Sequence, residues 1–314
     1  MEYGYFKLEP EGNWANIYPL VCWHLGAPES DDEFIREHVQ RIKNDPNGYW
    51  IYMGDMGECI TKHSKGNPFE QILHPEEQIE YAVELMEPIR GKGLFGVMGN
   101  HGDRVYRETG KSFDTDLCQR LNIPYKGTAA FFHLGVHNTA YDVYLRHGIS
   151  SGRTIASKVN SAIRAGEDIF ADAVITAHSH IAVELEPRSV RALRQRQGFP
   201  NKNPSNRSAI TKAECGKVYT RFVRQYICGS GYDSRSGYAE EKGYSPILPA
   251  QVRIGFHGLR TKKGQVKGVT RREGRNGSMR SDVHQQQFEI FRADPAVPPA
   301  AERWKAKLKR SFRR

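Results

Sequence analysis

Five short apolar runs, each followed directly by His, Asp, Asn or Cys, constrain the fold of this chain more than any other feature of its sequence. The runs are residues 17–21, 49–53, 94–98, 141–145 and 173–176, and the polar residues after them are Cys22 and His24, Asp55, Asn100 and His101, His147, and His178 and His180. Such β-prone runs, separated by helical patterns, indicate the buried strands of an α/β domain. Because sites in α/β folds are built at strand ends, the sequence predicts a metal site assembled from across a sheet.

Helical patterns fill the intervals between these runs. The sequence predicts helices from Asp31 or Asp32 to Lys43, from Pro75 to Ile89, from Asp114 to Leu121 and from Arg153 to Arg164. Further strands are predicted at residues 129–134, 183–185, 218–228, 252–257 and 287–291. We expect residues 1–14 to be a loose lead-in. The alternation of strands and helices predicts a layered α/β domain.

The order and spacing of these motifs resemble the calcineurin-like metallophosphoesterases, whose motifs run Asp-x-His, Gly-Asp, Gly-Asn-His-Asp/Glu, His and Gly-His-x-His. The resemblance covers roughly residues 17–187. Residues 146–154 and 229–246 are also similar to phage- and plasmid-borne branches of that family. The resemblance implies a four-layer α/β/β/α sandwich, in which two mixed β-sheets lie face to face with helices outside. It also implies a metal-dependent phosphoesterase.

The resemblance further implies two divalent metal ions, Mn, Zn or Fe, which activate a hydroxide and neutralise charge on the phosphoryl oxygens. In this reading Asp55 bridges the ions, and His101 is the general acid that protonates the leaving oxygen. The terminal ligands would be His24 and His180 on the first ion, and Asn100, His147 and His178 on the second. Arg104 and Arg153 are candidates for binding the phosphate.

Three positions depart from the family pattern, and at the third Ala177 replaces a Gly, which only tightens the backbone at that turn. Cys22 stands where the family has an Asp, and it is either a thiolate ligand that favours Zn or Fe, or a neutral buried thiol that leaves the first ion short of a ligand. Gly102 stands where the family has an acidic residue beside the catalytic His. The carboxylate that orients His101 is then either Asp103, one place later, or missing.

Charge is divided unevenly along the chain. Residues 1–187 contain 17 Lys and Arg against 27 Asp and Glu, whereas residues 188–314 contain 29 against 9. We expect a metallophosphoesterase domain at 1–292, with core motifs at 17–187, a basic insertion at about 188–216 and closing strands at 217–292. A basic tail follows at 293–314. The basic C-terminal part predicts an anionic partner, and beside a phosphoester-cleaving site we expect nucleic acid or a nucleotide.

The sequence also indicates the cellular compartment, through the targeting, membrane-spanning and cysteine patterns that it lacks. Residues 1–14 do not have the pattern of a signal peptide, and no stretch approaches the roughly 20 apolar residues of a membrane span. The five cysteines are odd in number and form no Cys-x-x-Cys pair, which indicates a reducing compartment. We expect a cytoplasmic protein, with a phage-encoded protein in the host cytoplasm as one option. The oligomeric state stays open.

The function predicted from these residues is hydrolysis of phosphodiester bonds, with a nuclease or phosphodiesterase favoured over a phosphomonoesterase. The alternative is a nucleic-acid-binding or scaffold protein that keeps the fold but has lost catalysis through Cys22. A phage structural protein tethered through its basic tail is a third reading.

Overall fold

Two mixed β-sheets lie face to face in this computed structural model, which describes residues 2–64, 66–148, 152–167, 169–186, 188–192, 218–260 and 285–311. Numbered along the chain, the strands are β1 (Glu2–Leu8), β2 (Trp14–Leu20), β3 (Gly48–Tyr52), β4 (Gly93–Gly96), β5 (Ala129–Val136), β6 (Thr139–Arg146), β7 (Ala173–Thr176), β8 (Val183–Leu185), β9 (Arg188–Ala192), β10 (Val218–Phe222), β11 (Arg224–Ile227), β12 (Ala250–His257) and β13 (Gln286–Arg292). The α-helices are α1 (Asp32–Asn44), α2 (Pro75–Met86), α3 (Gly102–Thr109), α4 (Phe113–Arg120), α5 (Ile155–Gly166), α6 (Tyr238–Glu241) and α7 (Ala300–Ser311). A 3-10 helix, Glu87–Lys92, continues α2.

The larger sheet has the strand order β1-β5-β6-β7-β11-β8, and the smaller has the order β13-β12-β2-β3-β4. In the smaller sheet β2, β3 and β4 are parallel, so their carboxyl ends share one edge. In the larger sheet β6, β7 and β11 are parallel in the same way. The two parallel groups supply the five strand ends that carry the polar motifs. Strands β9 and β10 form a separate antiparallel pair.

The main core lies between the two sheets. Residues such as Ile17 and Phe95 from the smaller sheet pack there with Phe132 and Ile175 from the larger one. A second core covers the outer face of the smaller sheet with α1, α2 and α4, and α5 packs on the outer face of the larger sheet. The predicted α/β sandwich of two mixed sheets flanked by helices is therefore confirmed.

The N-terminal prediction was wrong, because residues 2–8 form β1 and not a loose lead-in. This strand pairs in parallel with β5 along its whole length. Its side chains alternate, with Tyr3, Tyr5 and Lys7 exposed and Phe6 and Leu8 turned inward. Exposed and inward side chains thus alternate as in a half-covered strand, but aromatic residues lie on both faces, so the sequence shows no clear apolar alternation.

Other predicted helices and strands are present, but their first and last residues differ from the predicted ones. Asp31 is the residue that caps α1, since its side chain accepts the backbone N–H of Phe34. The predicted strand at 218–228 is two strands, and α3, which begins directly after His101, was not predicted. Of the predicted basic insertion only β9 is described, and residue 187 and residues 193–217 lie outside the described residues, as do 261–284 and 312–314.

The basic tail is docked on the domain through its first helical turn. Arg303 of α7 lies 2.6 Å from the buried carboxylate of Asp31, and the backbone N–H of Ala300 donates to Asp233 at 3.2 Å. The division of the chain at residue 292 stays a prediction. Within the described residues, the longest helices are too short and too polar to cross a lipid bilayer.

Candidate metal centre

The five polar motifs meet at one end of the sandwich. After β2, β3 and β4 the smaller sheet presents His24, Asp55 and Asn100, and after β6 and β7 the larger sheet presents His147 and His178. Most of these side chains line a cavity of about 330 Å³, together with His101 and His180. The arrangement follows from the topology, because parallel strands of both sheets end at this edge.

The backbone at this edge is held in an unusual conformation. Five of the seven predicted metal ligands have positive φ: Cys22 (51°), His24 (51°), Asp55 (55°), His178 (66°) and His180 (60°). Left-handed backbone in a non-glycine residue costs on the order of 1–3 kcal/mol and persists where surrounding structure enforces it. This concentration of strained residues marks the edge as a functional site.

The loops after β3 and β4 touch backbone to backbone. A side chain at Gly99 would collide with the backbone N and the carboxylate of Asp55, and one at Gly54, where φ is +89°, would collide with Gly99. Both positions therefore require glycine. Their close approach lets the backbone N–H of His101 donate to Asp55 Oδ1 at 2.8 Å, which fixes the orientation of that buried carboxylate.

A first ligand group consists of Cys22, His24 and His180, whose donor atoms all lie within 4.8 Å of one another. The Nε2 atoms of the two imidazoles are 3.1 Å apart. Nδ1 of His24 lies 2.8 Å from Oε2 of Glu58. If that nitrogen carries the proton, Nε2 is left free to bind a metal, which is the usual support of a ligating histidine by a carboxylate.

A second group consists of Cys22, Asp55 and His147, also within 4.8 Å. Nε2 of His147 lies 2.8 Å from Oδ2 of Asp55 and 3.0 Å from Oδ1 of Asn100. Its Nδ1 lies 2.6 Å from the carbonyl oxygen of Met53. Because a carbonyl oxygen only accepts hydrogen bonds, Nδ1 carries the proton, and Nε2 is again the nitrogen that can bind a metal. Nδ1 of His178 is 4.0 Å from Asp55 Oδ2.

Two buried atoms in or beside this second group, Oδ2 of Asp55 and Nδ1 of His178, form no well-aligned hydrogen bond with the part of the chain that the structure describes, although Oδ2 of Asp55 lies 2.8 Å from Nε2 of His147 as an ion-pair contact. Buried polar atoms without a partner are costly. A divalent cation bound between them would satisfy both. The residues therefore fit the predicted metal, and Cys22, rather than Asp55, is the residue that belongs to both groups.

Burial sets the protonation of the ligands. It lowers the pKa of His180 and of His24, with the neighbouring imidazoles acting in the same direction, so both are neutral as a metal requires. Burial also raises the pKa of Cys22 well above its ordinary value. Burial opposes ionisation of Asp55, but the nearby His147 and His101 outweigh it and hold its pKa low. Imidazole, carboxylate and thiol donors together suit Zn and Fe.

Glu58 is a site residue that the sequence analysis missed. Its carboxylate lies 3.4 Å from Nδ1 of His101 and 3.7 Å from Nη1 of Arg104, in addition to its contact with His24. Burial opposes its ionisation, yet the charge of His101 and these hydrogen bonds lower its pKa. The signal available was its place in the loop after β3, three residues beyond Asp55.

Two predicted site residues lie away from this centre. The carboxylate of Asp103 is 2.6 Å from Arg107, one turn along α3, and the carboxylate nearest the imidazole of His101 is that of Glu58. The Arg153 side chain is exposed and does not line the cavity, whereas Arg104 does. Lys158, on the helix that follows Arg153, lines the cavity instead.

Packing explains why position 102 is a glycine. A side chain at this position would collide with the carboxylate of Asp114, which is buried behind the loop and accepts hydrogen bonds from Tyr52 and from the backbone N–H of Gly99. The space that a side chain beside His101 would need is therefore occupied from α4.

No protein-family model matches this sequence, and no curated protein is similar to it. Among solved structures, the chain is similar to vacuolar protein sorting 29 from Cryptosporidium parvum, with 10% identity over 90% of this chain and 100% of that chain and a TM-score of 0.40. It is also similar to Vps29 complexed with zinc from Entamoeba histolytica, with 8% identity over 88% and 98% and a TM-score of 0.36. A third is a conserved uncharacterized protein, described as a predicted phosphoesterase, from Streptococcus pneumoniae, with 9% identity over 89% and 98% and a TM-score of 0.32. At these values the likenesses decide nothing about the activity of this chain.

Proposed function

We propose that this protein is a metal-dependent phosphoesterase that hydrolyses phosphodiester bonds in a nucleotide or nucleic acid. One observation carries the proposal: two ligand groups share Cys22, and their members His24, His180 and Asp55 line a single cavity together with His101. Bound there, divalent ions would supply an activated nucleophile and neutralise charge on the phosphoryl oxygens. His24 and His180 would hold one ion, and Asp55, Asn100, His147 and His178 would hold the other.

His101 is placed to handle the proton of the leaving group. Its Nδ1 lies 2.8 Å from the carbonyl oxygen of Glu58, so this nitrogen donates and Nε2 is the atom that faces the reaction. Burial lowers the pKa of His101, but Asp55 and Glu58 outweigh it and raise the pKa overall. A raised pKa favours the protonated imidazole, which is the form that a general acid needs.

Arg104 contacts His101 in the wall of the cavity. Its Nη2 is 2.9 Å from Nε2 of His101, and the residue lines the cavity. An anionic phosphate would compete for this guanidinium and form charge-assisted hydrogen bonds with it. Substrate binding would then free Nε2 of His101 for proton transfer.

The preference for nucleic acid or a nucleotide is supported by the positive charge of the C-terminal part. Many of the Lys and Arg residues behind this preference lie in 193–217, 261–284 and 312–314, outside the described residues. Two exposed lysines of α7, Lys305 and Lys309, lie within the described residues. Binding that weakens as salt rises is expected, and a flat salt response contradicts this part of the proposal.

A second candidate is a binding or scaffold protein whose site no longer holds its ions. It is favoured by the burial of Cys22, which raises the pKa of the thiol. If the thiol stayed neutral, both ligand groups would lose a donor at once, because Cys22 belongs to each.

The test is hydrolysis of a chromogenic phosphodiester, with a monoester beside it, by metal-stripped protein refilled with Mn, Zn, Fe or Mg. We expect turnover that requires metal and is lost in His178→Ala. The matched control is His63→Ala, which removes an exposed imidazole outside the cavity. Absence of turnover with every metal, in folded protein, contradicts the phosphoesterase and favours the second candidate.

A further inference from the structure

Part of the cavity wall beside the candidate ligands comes from residues 229–247 and from the loop at 60–71. The first segment is fixed over the site by backbone hydrogen bonds, since the N–H of Gly231 donates to the carbonyl of Cys22 and its carbonyl accepts from Asp31. It contributes three aromatic side chains to the lining: Tyr232, Tyr238 and Tyr244. The ring of Tyr232 is 5.2 Å from that of His24. Aromatic surface therefore stands directly beside the candidate metal centre.

The same cavity is lined by an ammonium group that has no anionic partner among the residues that the structure describes. Lys158 of α5 is 4% exposed, and no described side chain forms an ion pair or hydrogen bond with its Nζ. Burial lowers its pKa, and its charge contributes, after burial and the neighbouring imidazoles, to the lowered pKa of His180. A buried, unpaired lysine is costly unless it has a ligand. Lys158 lines the same cavity as His180, so an anion bound at the candidate metal centre would share the cavity with this ammonium group.

The size and the charge of the cavity limit which ligands can enter it. A volume of about 330 Å³ is at the lower end for small-molecule pockets and suits one nucleotide rather than a duplex. Glu29 and Glu70 also line the cavity, and in their ionised form they would repel further phosphates of a polyanion. Carboxylates there can instead accept hydrogen bonds from hydroxyl or amino groups.

We propose that this cavity selects a mononucleotide-sized phosphoester, in which Lys158 binds the phosphate and Tyr232, Tyr238 and Tyr244 contact an aromatic part of the esterified alcohol, such as the base of a nucleoside. The inference rests on the proposed function, because it names the substrate class of the same site. It separates the anion contact, supplied by α5, from the aromatic contact, supplied by residues 229–247. Each can be removed independently.

The experiment is calorimetric titration of the full chain, loaded with Mn, with the phosphonate analogue of AMP, with inorganic phosphate and with adenosine. The P–C bond of the analogue cannot be hydrolysed, so binding is measured whether or not the protein turns over substrate. A protein that binds the analogue but hydrolyses no phosphoester would contradict the proposed function and leave the binding inference standing.

We expect the analogue to bind about tenfold more tightly than phosphate, because base–aromatic contact adds to the anion contact. Lys158→Met weakens the binding of both by about tenfold, the loss of one charge-assisted hydrogen bond. The matched control is Arg164→Met, which removes an exposed cation from the same helix and leaves both affinities unchanged. Lys158→Met also removes a buried charge, so it is expected to fold.

Tyr238→Ala tests the aromatic wall. It is expected to lower the affinity of the analogue toward that of phosphate, without changing the affinity of phosphate itself. Tyr106→Ala, which removes an exposed ring of α3 outside the cavity, is the control. The inference is overturned if Lys158→Met binds like the wild type, if the analogue binds no more tightly than phosphate, or if a short DNA duplex, and not the analogue, shows Lys158-dependent binding.

Discussion

Nε2 of His24 lies 3.1 Å from Nε2 of His180, although 156 residues separate them in the chain. His24 follows β2 of the smaller sheet and His180 follows β7 of the larger one, so the contact joins the two sheets at the edge of the sandwich. The imidazole of His24 is buried and that of His180 is half-buried, and both residues have positive φ. A metal between the two nitrogens would tie the sheets together.

Metal binding should therefore stabilise the fold. We expect zinc added to chelator-treated protein to raise the melting temperature by several degrees, because a ligand at about 100 times its Kd stabilises the folded state by about 2.7 kcal/mol. His180→Ala should lose most of this shift, and His63→Ala should keep it. Differential scanning calorimetry with and without zinc measures the shift. An equal shift in both variants would place the ion elsewhere.

The thiol of Cys22 should decide which metal is preferred. Since a thiolate is a soft ligand, we expect Cys22→Ser to lower the affinity for Zn by at least about tenfold and to affect Mn less. Cys22→Asp should move the preference toward Mn. Competition with a chromophoric chelator measures the affinities, and Cys118→Ser, a buried thiol of α4, is the control. Activity that appears only in Cys22→Asp would instead support the second candidate function.

Glu58, rather than Asp103, should support His101. The carboxylate of Glu58 raises the pKa of His101, so Glu58→Gln is expected to lower that pKa. If His101 must be protonated to act, activity is then lost at a lower pH on the alkaline side of the profile. Loss of a residue that orients a ligand also costs about 10- to 100-fold in metal affinity or activity.

The pH dependence of kcat measures this effect, and Asp103→Asn is the matched variant. Because Asp103 pairs with Arg107 outside the centre, Asp103→Asn should retain nearly full activity and an unshifted profile. The reverse ranking, with Asp103→Asn the more damaging, would show that the contact between Glu58 and His101 is not the one that matters.

Asp114 should make stability depend on pH. Burial raises its pKa to about 7, whereas an unfolded Asp titrates near roughly 3.9. Between these values the folded state binds more protons than the unfolded state. The contribution of this carboxyl to stability is therefore fully present below about pH 4 and is lost as pH rises through 7.

Asp114→Asn should remove this dependence, since the amide oxygen still accepts from Tyr52 and Gly99 but cannot titrate. The free energy of unfolding of the wild type, relative to the variant, should fall by up to about 1.4 kcal/mol per pH unit in that range. Urea unfolding at several pH values measures it. Asp116→Asn, on the outer side of the same helix, should show no such difference.

The layered fold could largely be predicted from the sequence because it depends on local patterns. Apolar runs at 17–21, 49–53, 141–145 and 173–176 all lie in or directly after strands, and Asp31 caps α1 as its position indicates. The wrong prediction, for residues 2–8, concerned a strand at the edge of a sheet. One face of β1 is open to solvent, so its apolar pattern is weak, and its pairing with β5 joins residues more than a hundred positions apart.

The types of residue at the metal centre were determined by the sequence, since His, Asp, Asn and Cys at strand ends indicate metal ligands wherever those ends meet. Which ligands share a group was decided by the tertiary structure, because distances between the two sheets depend on how their faces pack. That packing brings Cys22 into both groups, turns Asp103 away toward Arg107 and sets Glu58 against His24 and His101. It also buries Lys158 in the cavity and leaves Arg153 outside. No local pattern specifies such contacts, since each joins residues from separate elements of the chain.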